Sequence, residues 1–527
     1  MKILKYILIV IISLGIFTGC DDFLGDNIDP DAPTVVTADL VMPVVLFYAA
    51  LENYDHSEYG VYLSQCLTTA GRSQTGAHAY RSGWHFTAMN RHPQWRRHYF
   101  DLGANAHNII NYAEEEGSYN YLALSRLLRL LSIQQTTDAF GPMAVTTAYT
   151  EDPQFESQES VYEWMENEVE ELIQLFNSAE VSQTTNRPMG QGVDRVFGGD
   201  MQKWKQVAFA IKARILLRNL PNMNTSASTC NNIISAAETA LNGWEDPAYK
   251  FDGGSSVEKN CMWGRTNRPV GGWESRSNDL DGAIPTKFFV EDIMGFNSSD
   301  KTYDDPRLPY LMKARGDAAS GIDTTFRYLE SNSGMSATHK LEWYPDMYES
   351  ALTTDQSAIV LLSEGELHFI ITEAAYWAGD KAKAADHLVK GIQYHMELLS
   401  VPAEETDAYV SNPDLVPGSA NITLSHIMKE KYKAMYLQIE QWTDLRRYAF
   451  SNDQNNINYD NTVIYPGLRR PHNLYEPHWG GDENVWIHRI NYDPDTEEKY
   501  NPTKLEELGA YQSAEWLKKP MIWGRAN

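Results

Sequence analysis

The sequence predicts a mainly α-helical protein, a tetratricopeptide-like array of helix pairs with one loop-rich region and a few short strands. Three observations carry this. Apolar residues recur every three or four positions in stretch after stretch. No convincing period-two strand pattern occurs before residue 242. Residues 363–396 read as two helices joined by a single Gly-Asp stop and start.

The first helix is predicted over 40–54, where Leu40, Val44, Phe47, Leu51 and Tyr54 form one face and Pro43 sits in the first turn. Residues 60–90 are rich in Gly, Ser, Thr and aromatics and read as an exposed loop. A helix follows over 95–113, then one over 121–139 that is apolar almost all round and so buried between others, ending at Gly141-Pro142. Periodicity returns over 160–176, 204–220 and 230–241.

Between 242 and 358 glycines, prolines and tryptophans crowd together and regular period is lost. So long an irregular stretch inside a compact chain predicts an elaborated functional region with short strands. After it, Ser363-Glu364-Gly365-Glu366 predicts a capping box, in which Ser363 serves one orphan amide and Glu366 reaches back to another. Gly379 supplies a left-handed stop and Asp380 caps the next helix, so the two helices lie antiparallel. This αα-hairpin is the unit of tetratricopeptide-like arrays, although no strict thirty-four-residue repeat runs through the chain. One long last helix is predicted over 424–447.

The N-terminus supplies an address. Lys2 and Lys5, an apolar run over 6–17 and Thr18-Gly19-Cys20 make a secretory signal, too short for a spanning helix. A small residue directly before Cys20 is the pattern of a bacterial lipobox, in which the cysteine is lipidated and becomes the mature N-terminus; the alternative is an ordinary signal with a chance cysteine. Acyl chains anchor durably, each buried methylene contributing about 0.8 kcal/mol. The expected organisation is a signal peptide over 1–19, a lipidated, flexible acidic stem over 20–38, and a single body over 39–527.

The formal charge of −27 excludes attraction to nucleic acid or an anionic membrane surface by bulk electrostatics. With 43% hydrophobic residues the chain can bury a large core. Cys66, Cys230 and Cys261 form neither a disulfide framework nor a zinc pattern; one bridge remains open, against three small buried hydrophobes. No cofactor or metal is expected, the Asp304-Asp305-Pro306 segment being too sparse for one.

Several motifs together resemble the SusD/RagB family of surface lipoproteins, and its SusD-like branch more closely than the starch-binding founder. They are the lipobox and a stem ending Asp29-Pro30-Asp31, Asp138-Ala139-Phe140-Gly141-Pro142-Met143, Asp305-Pro306-Arg307-Leu308, the hairpin over 366–391, and the segment from Glu430-Lys431 to Asp444-Leu445-Arg446-Arg447. The resemblance implies four tetratricopeptide-like helix pairs and outer-face display on the outer membrane. It also implies a SusC-type TonB-dependent transporter as partner, with oligosaccharides, or in some members peptides, as cargo. No motif carries over the founder's starch contacts. Glu430, Asp444, Arg446 and Arg447 read as scaffold ion pairs and helix-end contacts rather than catalytic groups.

A sugar ring offers an apolar C–H face ringed by hydroxyls, so its sites pair an aromatic platform with planar hydrogen-bonding groups. Tyr80, Arg81 and Trp84 offer this in one loop; Trp263, Arg265, Arg268 and Trp273 offer it in the other. Lone tryptophans are as a rule core residues, which weighs against any single one. The chain is therefore expected to be a receptor and not an enzyme. The alternatives are a membrane-tethered glycoside hydrolase, for which 71 acidic residues leave many carboxylate pairs open, and an envelope scaffold. No His-Glu-x-x-His, phosphate-cradling glycine loop or Gly-x-Ser-x-Gly is present.

Overall fold

The computed structural model describes residues 37–71, 81–254, 259–266, 280 and 282–525. Cys20 and most of the stem lie outside them. Among the described residues no helix is long and apolar enough to cross a membrane.

The helical body follows the predicted order: α1 (Ala38–Leu63), α2 (Gly103–Glu116), α3 (Tyr119–Phe140), α4 (Gln158–Asn177), α5 (Met201–Leu217), α6 (Ala227–Leu241), α7 (Glu364–Trp377), α8 (Lys381–Leu398), α9 (Ala403–Val410), α10 (Leu424–Ala434) and α11 (Glu440–Arg447). From α1 to α8 each helix packs on the next in sequence, α8 packs on α10, and α11 returns to pack on α1. At several helices, among them α4, α5 and α8, the start is set by a side-chain cap that satisfies orphan amides. Ser157 accepts from the Ser160 amide at 3.2 Å, Asp200 from those of Gln202 and Lys203, and Asp380 from that of Lys383 at 3.0 Å. Gly141 (φ +94°) and Gly379 (φ +85°) supply the left-handed exits of α3 and α7, where a side chain would be strained.

Four departures from the sequence reading have physical causes. Helix α1 continues nine residues past its predicted end, because its polar second half is buried rather than solvated. There Arg97 Nε donates to Asp55 at 3.1 Å, Ser57 Oγ donates to the Asn53 carbonyl at 2.6 Å, and Glu58 pairs with Arg81. The stretch predicted as an exposed loop over 60–90 thus begins inside α1. The helix predicted over 95–113 contains a π-helical turn, Arg97–Leu102, before α2. At its end a side chain on Gly103 would strike the His98 carbonyl and the Tyr149 hydroxyl, which accounts for glycine there. The long last helix breaks between α10 and α11 at Leu437, whose φ is +60°. Finally, Ser363 Oγ does accept from the Glu366 amide at 3.1 Å, but the Glu366 carboxylate turns inward to Arg214 instead of closing a capping box. The box occurs at α10, between Thr423 and His426.

Strands are short and paired antiparallel in twos: β1 (Leu67–Thr69) with β3 (Ala283–Pro285), β2 (Ala248–Tyr249) with β8 (Ile359–Val360), β4 (Phe296–Asn297) with β5 (Thr302–Tyr303), β6 (Arg315–Asp317) with β7 (Ile322–Thr325), and β9 (Asn458–Tyr459) with β10 (Thr462–Val463). The first of these pairs ties the irregular 242–358 region to the exit of α1, and the second closes that region just before α7.

Charged residues thread the core. Arg218 bridges Asp138 (2.8 Å) and Glu440 (2.7 Å). Arg447 holds Glu373 and Asp444, with Lys431 Nζ 2.9 Å from Asp444. Arg307 and Lys433 together hold Asp305 and Glu430. Arg446 donates to the Asp138 and His488 carbonyls. The closing Trp523 donates its Nε1–H to Asp138 at 3.1 Å. These are the scaffold contacts the sequence assigned to Glu430, Asp444, Arg446 and Arg447. Cys66, Cys230 and Cys261 are buried free thiols.

Candidate functional site

Within the irregular region, two hairpins and the turn at Trp343-Tyr344 enclose a cleft of about 320 Å³ lined by Phe296, Lys301, Asp323, Phe326, Tyr328 and Tyr344 among others. The β4–β5 hairpin brings Phe296 edge-on to Phe326 at 5.7 Å, and Tyr303, 41% exposed, stands against Phe326 at 6.0 Å. On the β6–β7 side, the Arg327 guanidinium donates to the carbonyls of Arg315 (2.9 Å), Trp343 (3.1 Å) and Asp323 (2.6 Å). One planar group therefore fixes three wall segments.

The polar atoms of the cleft are placed for hydrogen bonding. Tyr344 Oη lies 2.9 Å from His339 Nδ1, Tyr328 Oη donates to Glu291, and Lys301 Nζ meets Asp323 at 2.9 Å at the solvent edge. Burial, reinforced by Glu291, pushes the Tyr328 phenol up to about 12, and burial also raises Tyr344. Both phenols therefore stay protonated at neutral pH.

Beside this cleft lies a second cluster. Asp346, almost fully buried, receives Arg265 Nη2 at 2.9 Å and also pairs with Arg315. The Arg265 guanidinium sits over the Tyr348 ring at 4.5 Å, while 55% of its side chain remains exposed. A planar cation held by an aromatic face and a carboxylate loses little freedom on meeting a ligand.

Among the described residues other cavities occur; that of about 520 Å³ beside Asn186 and Arg187 has no aromatic wall, and two more lie elsewhere. One, of about 570 Å³, is lined by Arg469, Arg470, His472, Glu476 and Trp479, and Arg470 is already bound to the Asp482 and Trp479 carbonyls. Another, of about 310 Å³, lies over the Asp305–Glu430 ion pairs. Neither combines several aromatic walls with hydroxyl donors, as the cleft of the irregular region does.

The family model SusD-like_2, described as starch-binding and associating with the outer membrane, matches residues 30–469. The chain belongs to the SusD-like family.

Solved structures of SusD-like proteins share its fold at low sequence identity. A SusD/RagB family protein of Bacteroides thetaiotaomicron is 15% identical, with a TM-score of 0.68 over 94% of this chain and 100% of its own. A SusD homolog of Parabacteroides distasonis is 17% identical, with a TM-score of 0.67 over 93% and 99%. A chitin-binding protein is 17% identical, with a TM-score of 0.62 over 92% and 99%. No curated protein matches the chain.

Against this SusD-like frame the site residues expected from sequence divide. Tyr80, Arg268 and Trp273 lie outside the described residues. Arg265 is exposed and stands beside the cleft. Trp84 is a correction: it is fully enclosed, edge-on to Trp479 at 5.2 Å and tilted against Trp486 at 5.6 Å, so no ring face is left for a ligand. Trp263 is another, 4% exposed and edge-on to Tyr54 of α1 at 4.8 Å. Arg81 is a third, buried in its pair with Glu58 and over the Tyr59 ring at 4.1 Å. All three lock irregular chain onto α1 or the C-terminal segment. Sequence reasoning missed Lys301, Phe326, Tyr328 and His339 as a group. The only signal was the aromatic alternation of Phe326-Arg327-Tyr328 after a strand-like Thr-Thr. Among the described residues no group of three or more His, Cys, Asp or Glu side chains is arranged to hold a metal.

Proposed function

We propose that this SusD-like chain is a cell-surface lipoprotein, anchored through Cys20 to the outer membrane. On this reading it captures oligosaccharides at the irregular-region cleft and delivers them to a SusC-type TonB-dependent transporter. The observation that carries the binding half is the half-buried Tyr328 ring on the cleft wall, backed by the enclosed rings of Phe326 and Tyr344, with Lys301 at the same opening. An aromatic wall suits the C–H face of a sugar, and the exposed Lys301 ammonium and Arg265 guanidinium suit its hydroxyls. A chitin-binding protein among the structures of the same fold supports a glycan over a peptide. Arg265, exposed beside the cleft, completes the proposed contact set. The chain itself does no chemistry on the glycan; transport energy comes from the partner.

The test of the delivery half is affinity purification of the full-length lipoprotein from its native outer membrane, with mass spectrometry of what accompanies it. Stoichiometric recovery of a large TonB-dependent barrel is the expected result. Recovery of the lipoprotein alone from gently solubilised membranes contradicts it.

A further inference from the structure

The hairpin of α7 and α8 carries two histidines that the glycan reading does not use. His368, on α7, and His387, on α8, face each other with their Nδ1 atoms 3.0 Å apart. Their rings are tilted by 59° with centroids 5.0 Å apart. The outer nitrogen of each has a carboxylate beside it: His368 Nε2 is 3.6 Å from Glu364, and His387 Nε2 is 4.0 Å from Asp386. Both imidazoles are about nine-tenths buried, yet Glu364 and Asp386 beside them are 43% and 59% exposed, so the pair lies just beneath the surface of the hairpin.

We propose that His368 and His387 form a two-nitrogen site for a borderline divalent transition-metal ion such as Zn²⁺ or Ni²⁺, which would clamp α7 to α8. Two features carry it. Two metal–nitrogen bonds of about 2.0–2.1 Å, at right or tetrahedral angles, set their nitrogens roughly 2.9–3.4 Å apart, and the observed separation falls in that range. Metal-bound histidines usually give their other N–H to a carboxylate, and Glu364 lies 3.6 Å from His368 Nε2 while Asp386, itself paired with Lys390 Nζ at 2.7 Å, lies 4.0 Å from His387 Nε2.

The proton balance is simple. In the empty pair one Nδ1–H donates to the other Nδ1. On binding, that proton moves to its own ring's Nε2, on the carboxylate side, and both Nδ1 lone pairs turn to the ion. Two protein ligands are fewer than a closed structural site takes, so water fills the remaining positions. Hard ions such as Ca²⁺, which prefer oxygen, are excluded by the same donor set.

The test uses full-length protein stripped with a chelator and then titrated with ZnCl₂, NiCl₂ or CaCl₂, following heat and thermal unfolding. The site predicts one Zn²⁺ or Ni²⁺ per chain, a raised unfolding midpoint reversed by EDTA, and no response to CaCl₂. His387→Gln, which keeps a polar group at the position, abolishes both the heat and the midpoint shift. Asp386→Asn, at an exposed position, weakens the affinity about tenfold or more while leaving the fold intact. Absence of binding by the unaltered protein, or equal binding and an equal shift in His387→Gln, overturns the assignment.

Discussion

Arg214 and Glu366 meet as a bidentate pair in the core, Nε to Oε1 and Nη2 to Oε2 both at 2.7 Å, across 152 residues of chain. The pair joins α5 to the first turn of α7 and spans the whole irregular region, so it holds the two halves of the helical array in register. Removing Arg214 takes from the buried Glu366 its bidentate partner, and removing Glu366 leaves the buried Arg214 only the more distant Glu440, at 3.9 Å. Glu366→Ala or Arg214→Met is expected to cost about 3–5 kcal/mol in denaturant unfolding, whereas the double variant Arg214→Met/Glu366→Leu recovers most of that loss. A double variant as unstable as the worse single one would show that neighbours, not the pair, set the cost.

Glu440 gives the acid limb of the stability curve. Burial works against its ionisation, but Arg218 and Arg214 outweigh burial and hold the carboxyl at about 2, below its ordinary 4.5. A depressed carboxyl contributes stability that is complete above its unfolded value and disappears as pH falls through its folded one. Stability is therefore expected to fall between about pH 4.5 and 2, and Glu440→Gln should flatten that part of the profile while lowering stability at pH 7. Chemical denaturation at a series of pH values reads both effects. An unchanged acid limb in Glu440→Gln would move the effect to other carboxylates.

Gly391 lets α8 approach α7 closely. A methyl group there would lie 2.9 Å from the Phe369 ring, which is itself fully buried and has nowhere to go. Gly391→Ala is expected to destabilise by about 1–3 kcal/mol in spite of alanine's better helix propensity, since overpacking outweighs a propensity gain of about 1 kcal/mol. A rise in the unfolding midpoint would show that the hairpin opens enough to admit the methyl.

The helices were legible because burial on one face leaves a period, and the α7–α8 hairpin because Gly379 and Asp380 are local signals. What escaped was long-range. Asn53, Asp55, His56 and Glu58 look in sequence like solvated chain, yet all are buried in α1, and the Asp55 and Glu58 partners, Arg97 and Arg81, lie more than twenty residues away. Glu366 stands where a capping box predicts it, but Arg214, 152 residues away, is the stronger partner for its carboxylate. Trp84 and Trp263 carry the chemistry of platforms, but a large ring amid irregular chain also serves to close a core, and only packing separates the two uses. The cleft is assembled from β4, β5, β7 and the Trp343-Tyr344 turn, none of which has a periodic signature long enough to read.

The central claim is that glycans bind in the cleft of the irregular region. Calorimetric titration of the full-length protein with a panel of malto- and chito-oligosaccharides tests it most directly, repeated with Tyr328→Ala and Arg265→Ala. A glycan site in the cleft predicts saturable binding of at least one oligosaccharide. It also predicts a loss of about tenfold or more in each variant, on the order of 1.4 kcal/mol or more for an aromatic wall or a charged hydrogen-bond donor, with unfolding midpoints little changed for Arg265→Ala. Binding that is equally tight in both variants would contradict it and move the glycan to another surface.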